Sequence, residues 1–145
     1  LHQVLNEIGS AQRMNMKKGV ELLLDLPGQE VTIYTDPTRL SQVINNLVNN
    51  AIKFTSEGNI RIGYRPASSD RVKIFVEDTG TGMAKEVIEH IFDRFYKGDA
   101  FKQGTGLGLA ICRTIVERFK GKIEVASTPG KGTRFTITLP LKVEE

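Results

Sequence analysis

The spacing of apolar residues lays out most of the elements before any chemistry is considered. In RLSQVINNLVNNAIKFT (39–55), Leu40, Val43, Ile44, Leu47, Val48, Ala51 and Ile52 fall on one side of a wheel turning about 100° per residue. That stripe predicts an amphipathic helix. Asp36-Pro37 supplies a capping carboxylate and a proline at the first helical position, so the helix runs from 37 to about Phe54, where TSEGN ends it. A weaker helical period on Leu1, Leu5, Ile8 and Met14 marks residues 1–18, and a short helix is expected near 84–95. LGLAICRTIVERFK (107–120) is helical, with Gly121 as its stop.

The strand-like runs are VELLLDL (20–26), VTIYT (31–35), IRIGYRP (60–66), RVKIFVED (71–78), KIEVAST (122–128) and TRFTITLP (133–140). PGQE joins the first two with its Pro27-Gly28 turn, a polar loop joins the next two as a hairpin pair, and PGKG joins the last two as a hairpin. The expected fold is a two-layer α/β sandwich: a mixed, mostly antiparallel sheet of about five strands with three main helices on one face. A chain of 145 residues with 39% apolar content fits one domain over 1–145, residues 1–18 being its leading helix or a link to a missing domain.

Charge and cysteine content narrow the class. Lys plus Arg total 20 against 17 Asp plus Glu, a net charge of +3. The basic residues are scattered and do not interleave with aromatics, which argues against nucleic acid as a partner. A single cysteine, Cys112, excludes an internal disulfide and suits a reducing compartment. No run of 18 apolar residues and no export signal is present, so direct membrane contact is not expected. The chain opens inside a helical period without Met, as a segment cut from a longer protein would.

Four asparagines in one helix call for a reason, because their amides compete for backbone hydrogen bonds. Asn45 and Asn49 fall towards solvent. Asn46, Asn50 and Lys53 share a sector roughly 60° wide, with Asn50 bordering the apolar stripe. They are either surface polar residues or the oxygen and charge donors of a metal–phosphate site, since magnesium takes few protein oxygens beside substrate phosphates. DTGTGM (78–83) is either a plain turn or a loop in which Asp78 accepts from the exocyclic amine of adenine while Gly80 and Gly82 allow close approach. GTGLGLAI (104–111) puts glycines ahead of a helix, where free amides attract phosphate. It matches neither the dinucleotide fingerprint nor a P-loop.

The ordered set NNLVNNAIKFT, DTGTGM, IFDRFYK, GTGLGLAI and GKGTRFTITLP resembles the catalytic ATP-binding domain of bacterial sensor histidine kinases, from about 20 to 141. The likeness implies the Bergerat ATP-binding fold, ATP and magnesium as cofactors, and roles for individual residues. Asn50 would ligate magnesium with Asn46 beside it, Lys53 would reach the phosphates, and Phe54 would pack near the nucleotide. Asp78 would read adenine, with Gly80 and Gly82 shaping the pocket floor and Thr133 assisting. Ile91 and Phe95 would line the pocket, Lys97 would offset charge, and Gly104, Thr105, Gly106, Leu107, Gly108 and Leu109 would form the phosphate loop. The segment between Phe95 and Gly104 is short for a lid in this family, and Lys97 stands where many relatives carry Arg, a point charge in place of a bidentate fork.

Gyrase, MutL and a heat-shock chaperone resemble this fold too, but hydrolyse ATP with a glutamate at the position held here by Asn46. An amide is no general base near neutral pH, which favours transfer to an external nucleophile. The resemblance implies a histidine on a dimerisation domain of the same parent, with a response regulator receiver domain downstream. It also implies a bacterial, cytoplasmic domain whose parent can be anchored in the inner membrane. His2 and His90 lack the His-Asp/Glu context of an acceptor. A same-fold serine kinase of anti-sigma type and a nucleotide-binding module without turnover are the alternatives. Cys112 is expected in the core, and Met83 either in packing or against adenine.

Overall fold

Asp36 starts the helix on which the rest of the fold is laid. Its Oδ1 accepts from the Thr38 and Arg39 amides at 2.9 and 3.3 Å, and Pro37 occupies the first turn, as expected. The computed structural model describes residues 1–93 and 108–141. Its elements are α1 (His2–Arg13), β1 (Val20–Asp25), α2 (Pro37–Phe54), β2 (Gly58–Ser68), β3 (Arg71–Asp78), α3 (Lys85–His90), α4 (Gly108–Arg118), β4 (Lys122–Thr128) and β5 (Gly132–Pro140).

The strands make one five-stranded sheet in the order β1-β2-β3-β5-β4. β1 runs parallel to β2, with α2 as the crossover between them, and every other pair is antiparallel. Leu40, Val43, Ile44, Leu47, Val48 and Ala51 of α2 are buried, as the wheel requires, with Ile52 partly buried against them. They meet the inner sheet residues Ile60, Ile62, Tyr64, Val72, Ile74, Val76, Phe135, Ile137 and Leu139, while Leu5 and Ile8 of α1 and Cys112, Ile115 and Val116 of α4 complete the layer. This is the expected two-layer sandwich. Among the described residues, no helix is long and apolar enough to cross a membrane.

Three details of the expectation fail. Residues 31–35 form no strand. The Val31 amide donates to the Tyr64 hydroxyl and the Tyr34 amide to the Leu141 carbonyl, so the segment has no continuous ladder, and β2 takes the pairing edge of β1. The leading helix ends at Arg13, and Met14 is 88% exposed. The buried position one turn beyond Ile8 is Gln12, a polar residue satisfied by side chains of α2. At the end of α4, Lys120 rather than Gly121 takes the left-handed conformation (φ 63°). Gly121 is needed for a different reason: a Cβ there would lie 2.3 Å from the Thr138 carbonyl oxygen.

The outer sheet face is mostly polar, with Leu23 of β1 and Ala126 of β4 exposed on it, and it carries one buried aromatic ring. Phe75 is only 4% exposed yet belongs to this face, opposite Gly63 on β2. Its ring fills the space that the glycine leaves, and the Arg134 guanidinium stacks over it at 4.4 Å. Arg61 and Arg134 both pair with Glu77, and Arg61 and Arg65 with Asp25. These half-exposed pairs contribute at most about 1 kcal/mol each, so they stitch neighbouring strands without carrying the fold.

Candidate functional site

The end of β3 delivers a carboxylate into the inner layer. Asp78 pairs across the sheet with Thr133 of β5, and both are buried, at 7% and 8% exposure. Asp78 Oδ1 accepts from the Gly80 amide at 2.9 Å, closing a tight turn on the carboxylate. Burial raises the Asp78 carboxyl above its ordinary range, opposed by hydrogen bonds from the backbone amides of Gly80 and Thr133. The result is an acceptor fixed in direction and poorly solvated, suited to a ligand that brings its own N–H donor.

The DTGTGM loop is fastened to two other elements through the backbone of Thr81. The Thr81 amide donates to the Phe54 carbonyl at the end of α2, and the Gly130 amide donates to the Thr81 carbonyl from the β4–β5 turn. A Cβ on Gly80 would lie 2.2 Å from the Phe54 carbonyl oxygen. One on Gly82, whose φ is +69°, would lie 2.1 Å from that of Thr128. Both glycines therefore answer to the protein's own backbone, independently of any ligand. Through this junction, the end of the asparagine helix and the Asp78 turn are held together.

Along α2, Asn46, Asn50 and Lys53 are all half-buried. Asn46 lies beside the Cys112 thiol of α4, whose Sγ is 3.8 Å from the Val43 carbonyl oxygen of α2, so the two helices meet at this point. Burial pushes that thiol up to about 11, and Cys112 lies in the core as expected. The Lys53 ammonium sits 5.8 Å from the centre of the Phe54 ring. Asn45 and Asn49, expected to face solvent, also accept from Gln12 on α1 at 2.9 and 3.1 Å. Asn45 is half-buried and Asn49 exposed, so the pair is structural.

Ile91 is buried at 4%, and its neighbour Phe92 meets Phe135 edge-to-face with ring centres 6.2 Å apart. Met83 is packed into the core. Gly108 and Leu109 stand at the start of α4, Gly108 exposed and Leu109 half-buried against the core. Phe95, Lys97, Gly104, Thr105, Gly106 and Leu107 lie outside the described residues. His90 is exposed and pairs with Asp93 at 2.9 Å, whereas the His2 ring meets the Tyr64 hydroxyl beneath α1.

Gln12, Phe92 and Ser127 escaped the sequence reading. Ser127 bonds the Met83 amide, the Gly132 carbonyl and the Thr133 hydroxyl. A signal for it existed: it continues the inward series Ile123, Val125 on β4, where an apolar residue is expected.

As for a cation, no group of three or more His, Cys, Asp or Glu among the described residues could hold one. The donor offered by α2 is the neutral amide oxygen of Asn50. That suits magnesium, which accepts few protein oxygens when phosphates supply others.

Comparison with known proteins places this geometry in a family. Residues 35–143 match the family of histidine kinase-, DNA gyrase B- and HSP90-like ATPases. Over 144 residues the chain is 38% identical to the adaptive-response sensory kinase SasA of Synechococcus elongatus, covering 97% of this chain and 36% of SasA. Full-length ShkA in complex with AMPPNP superimposes with a TM-score of 0.88 at 30% identity, over 95% of this chain and 29% of ShkA. The nucleotide-free catalytic domain of histidine kinase ThkA does so with a TM-score of 0.85 at 28% identity, over 97% of this chain and 94% of that domain. The chain thus spans about a third of the sensory kinase it matches and nearly all of an isolated catalytic domain. It belongs to the histidine kinase-, DNA gyrase B- and HSP90-like ATPase family, as the ATP-binding catalytic domain of a two-component sensor histidine kinase.

Proposed function

We propose that this domain binds Mg-ATP and passes the γ-phosphoryl group to a histidine on a dimerisation domain outside the chain. A response regulator receiver domain would accept it afterwards. The observation that carries the nucleotide assignment is the buried Asp78 carboxylate, aligned by the Gly80 amide beside the Thr133 hydroxyl. A carboxylate only accepts, so it takes an N–H of the adenine amine and repels the O6 of guanine.

Phosphoryl transfer asks a protein chiefly for placement and charge stabilisation. Asn50 would hold magnesium, which neutralises charge on the phosphates when bound. Lys53 would face the triphosphate, and Lys97 with the loop 104–109 would complete its contacts. Asn46 in place of a glutamate leaves no base there to activate water, which favours the external acceptor. The bacterial, cytoplasmic setting of the domain belongs to the same proposal, as does a parent anchored in the inner membrane.

The test supplies a separate dimerisation segment bearing an acceptor histidine, together with γ-labelled ATP. Acid-labile, base-stable label on that segment is expected. ATP binding in a calorimeter with no label on the segment would refute transfer. Stable label on His2 or His90 would refute the external acceptor.

A further inference from the structure

Three side chains from three adjacent strands form a row on the inner face of the sheet. Asp78 of β3 stands opposite Thr133 of β5, which stands opposite Ser127 of β4. The Thr133 and Ser127 hydroxyl oxygens are 2.8 Å apart. Ser127 Oγ also accepts from the Met83 amide at 2.8 Å and lies 2.9 Å from the Gly132 carbonyl oxygen.

A serine hydroxyl has one proton and two lone pairs, and here each has an address. The Met83 N–H occupies one lone pair. The Gly132 carbonyl can only accept, so it takes the Ser127 proton. What remains for Thr133 is the second lone pair of Ser127, and Thr133 must donate its own proton into it. That leaves only lone pairs of Thr133 Oγ1 for a ligand. Beside it, the Asp78 carboxylate also only accepts.

We propose that Ser127 is a specificity-determining positioning residue: it locks Thr133 as an acceptor, so that the Asp78–Thr133 edge admits a base bearing an amino group and rejects one bearing an oxo group. The inference rests on the adenine reading of Asp78 and extends it to a residue that would not touch the nucleotide. Without the Ser127 hydroxyl, the Thr133 hydroxyl is free to rotate and present a proton. The site would then satisfy an oxo group as well as an amine, and discrimination against the oxo base would fall. A buried polar group left unpaired is the usual source of such discrimination.

The test measures dissociation constants for ATP and inosine triphosphate, which differ at the base edge and share the triphosphate. Wild-type protein should prefer ATP. Ser127→Ala should reduce the ATP-to-inosine preference by about tenfold, the worth of roughly one hydrogen bond, while Ser127→Thr, which keeps the hydroxyl, should retain it. Ser127→Cys keeps the size with a weak hydrogen-bonding group. It should behave like Ser127→Ala, and it serves if the alanine variant folds poorly by thermal unfolding. In Thr133→Val, adding Ser127→Ala should change the ratio no further, because the serine acts through the threonine.

A wild-type preference that survives both Ser127→Ala and Ser127→Cys overturns the role of Ser127 alone. So does a further change of the ratio on the Thr133→Val background. Equal binding of the two nucleotides by wild-type protein overturns the adenine reading itself, and this proposal with it.

Discussion

Gln12 of α1 donates its amide to Asn45 Oδ1 of α2 at 2.9 Å, and the same nitrogen reaches Asn49 Oδ1 at 3.1 Å. Two of the four asparagines thus hold the first helix, and Asn15 donates in turn to Gln12 Oε1 at 3.1 Å. Gln12→Ala should destabilise the domain by about 1–3 kcal/mol, from three lost side-chain hydrogen bonds and a lost buried side chain. Urea unfolding would read this, with ATP affinity unchanged. Asn45→Ala should cost more than Asn49→Ala, since Asn49 is exposed and its partner can turn to water.

Gly63 should tolerate no side chain. A Cβ there would meet the Asp25 carbonyl oxygen at 2.2 Å and Phe75 Cζ at 2.5 Å. Gly63→Ala is expected to cost roughly 1–3 kcal/mol as overpacking. Phe75→Ala on the same background should recover part of that loss, because the ring is one of the two obstacles. Strict additivity of the two substitutions in urea midpoints would count against this account.

Asp78→Asn should weaken ATP binding by about tenfold or more at neutral pH while the fold persists. Its effect on stability has a defined sign. Burial places the folded-state pKa of Asp78 above the unfolded one, so the ionised form costs stability at neutral pH, and that cost is relieved as pH falls through the raised value. The asparagine variant should therefore be relatively more stable near pH 7, and its advantage should shrink on acidification. Melting temperatures across that range would show it; an advantage that grows in acid would contradict it.

Asn50→Asp would add a negative charge beside the proposed triphosphate site. ATP affinity should fall at low salt, with the deficit narrowing as ionic strength screens the repulsion. Calorimetric titration at two salt concentrations checks this. Unchanged affinity at low salt would remove Asn50 from the phosphate edge.

Cys112 should be inert in the folded domain. Its thiol is fully buried and titrates near 11, so at pH 8 the thiolate fraction is about a hundredfold below that of an ordinary cysteine. Reaction with a chromogenic disulfide reagent should be negligible in buffer and complete in strong urea. Fast labelling without denaturant would show that the α2–α4 packing opens.

The layout of the fold was legible because α2 and the strands β2, β3 and β5 obey single periods over many residues. Residues 31–35 misled because their β-branched residues suit a strand, whereas strand status depends on a partner, and the edge of β1 was taken by a segment nearly forty residues on. Met14 and Gln12 show a related limit: a wheel ranks positions by apolarity and cannot see a buried amide whose partners lie on another helix. In the site, Asp78 and Thr133 could be named from motifs. Ser127 showed only as a polar residue at an inward strand position; its significance lies in hydrogen bonds to Gly132 and Thr133 across the β4–β5 turn and to Met83, 44 residues away.

The backbone contacts at Gly80 and Gly82 bear on how such motifs should be interpreted across a lineage. Selection on folding alone would preserve both glycines, since a methyl group at either would strike a carbonyl of Phe54 or Thr128. A descendant that had abandoned catalysis would still display an intact glycine pair, yet would be free to replace Asp78. On the adenine role proposed for Asp78, the aspartate between the strand and the turn, not the glycines that follow it, is the position whose loss would betray a pseudokinase.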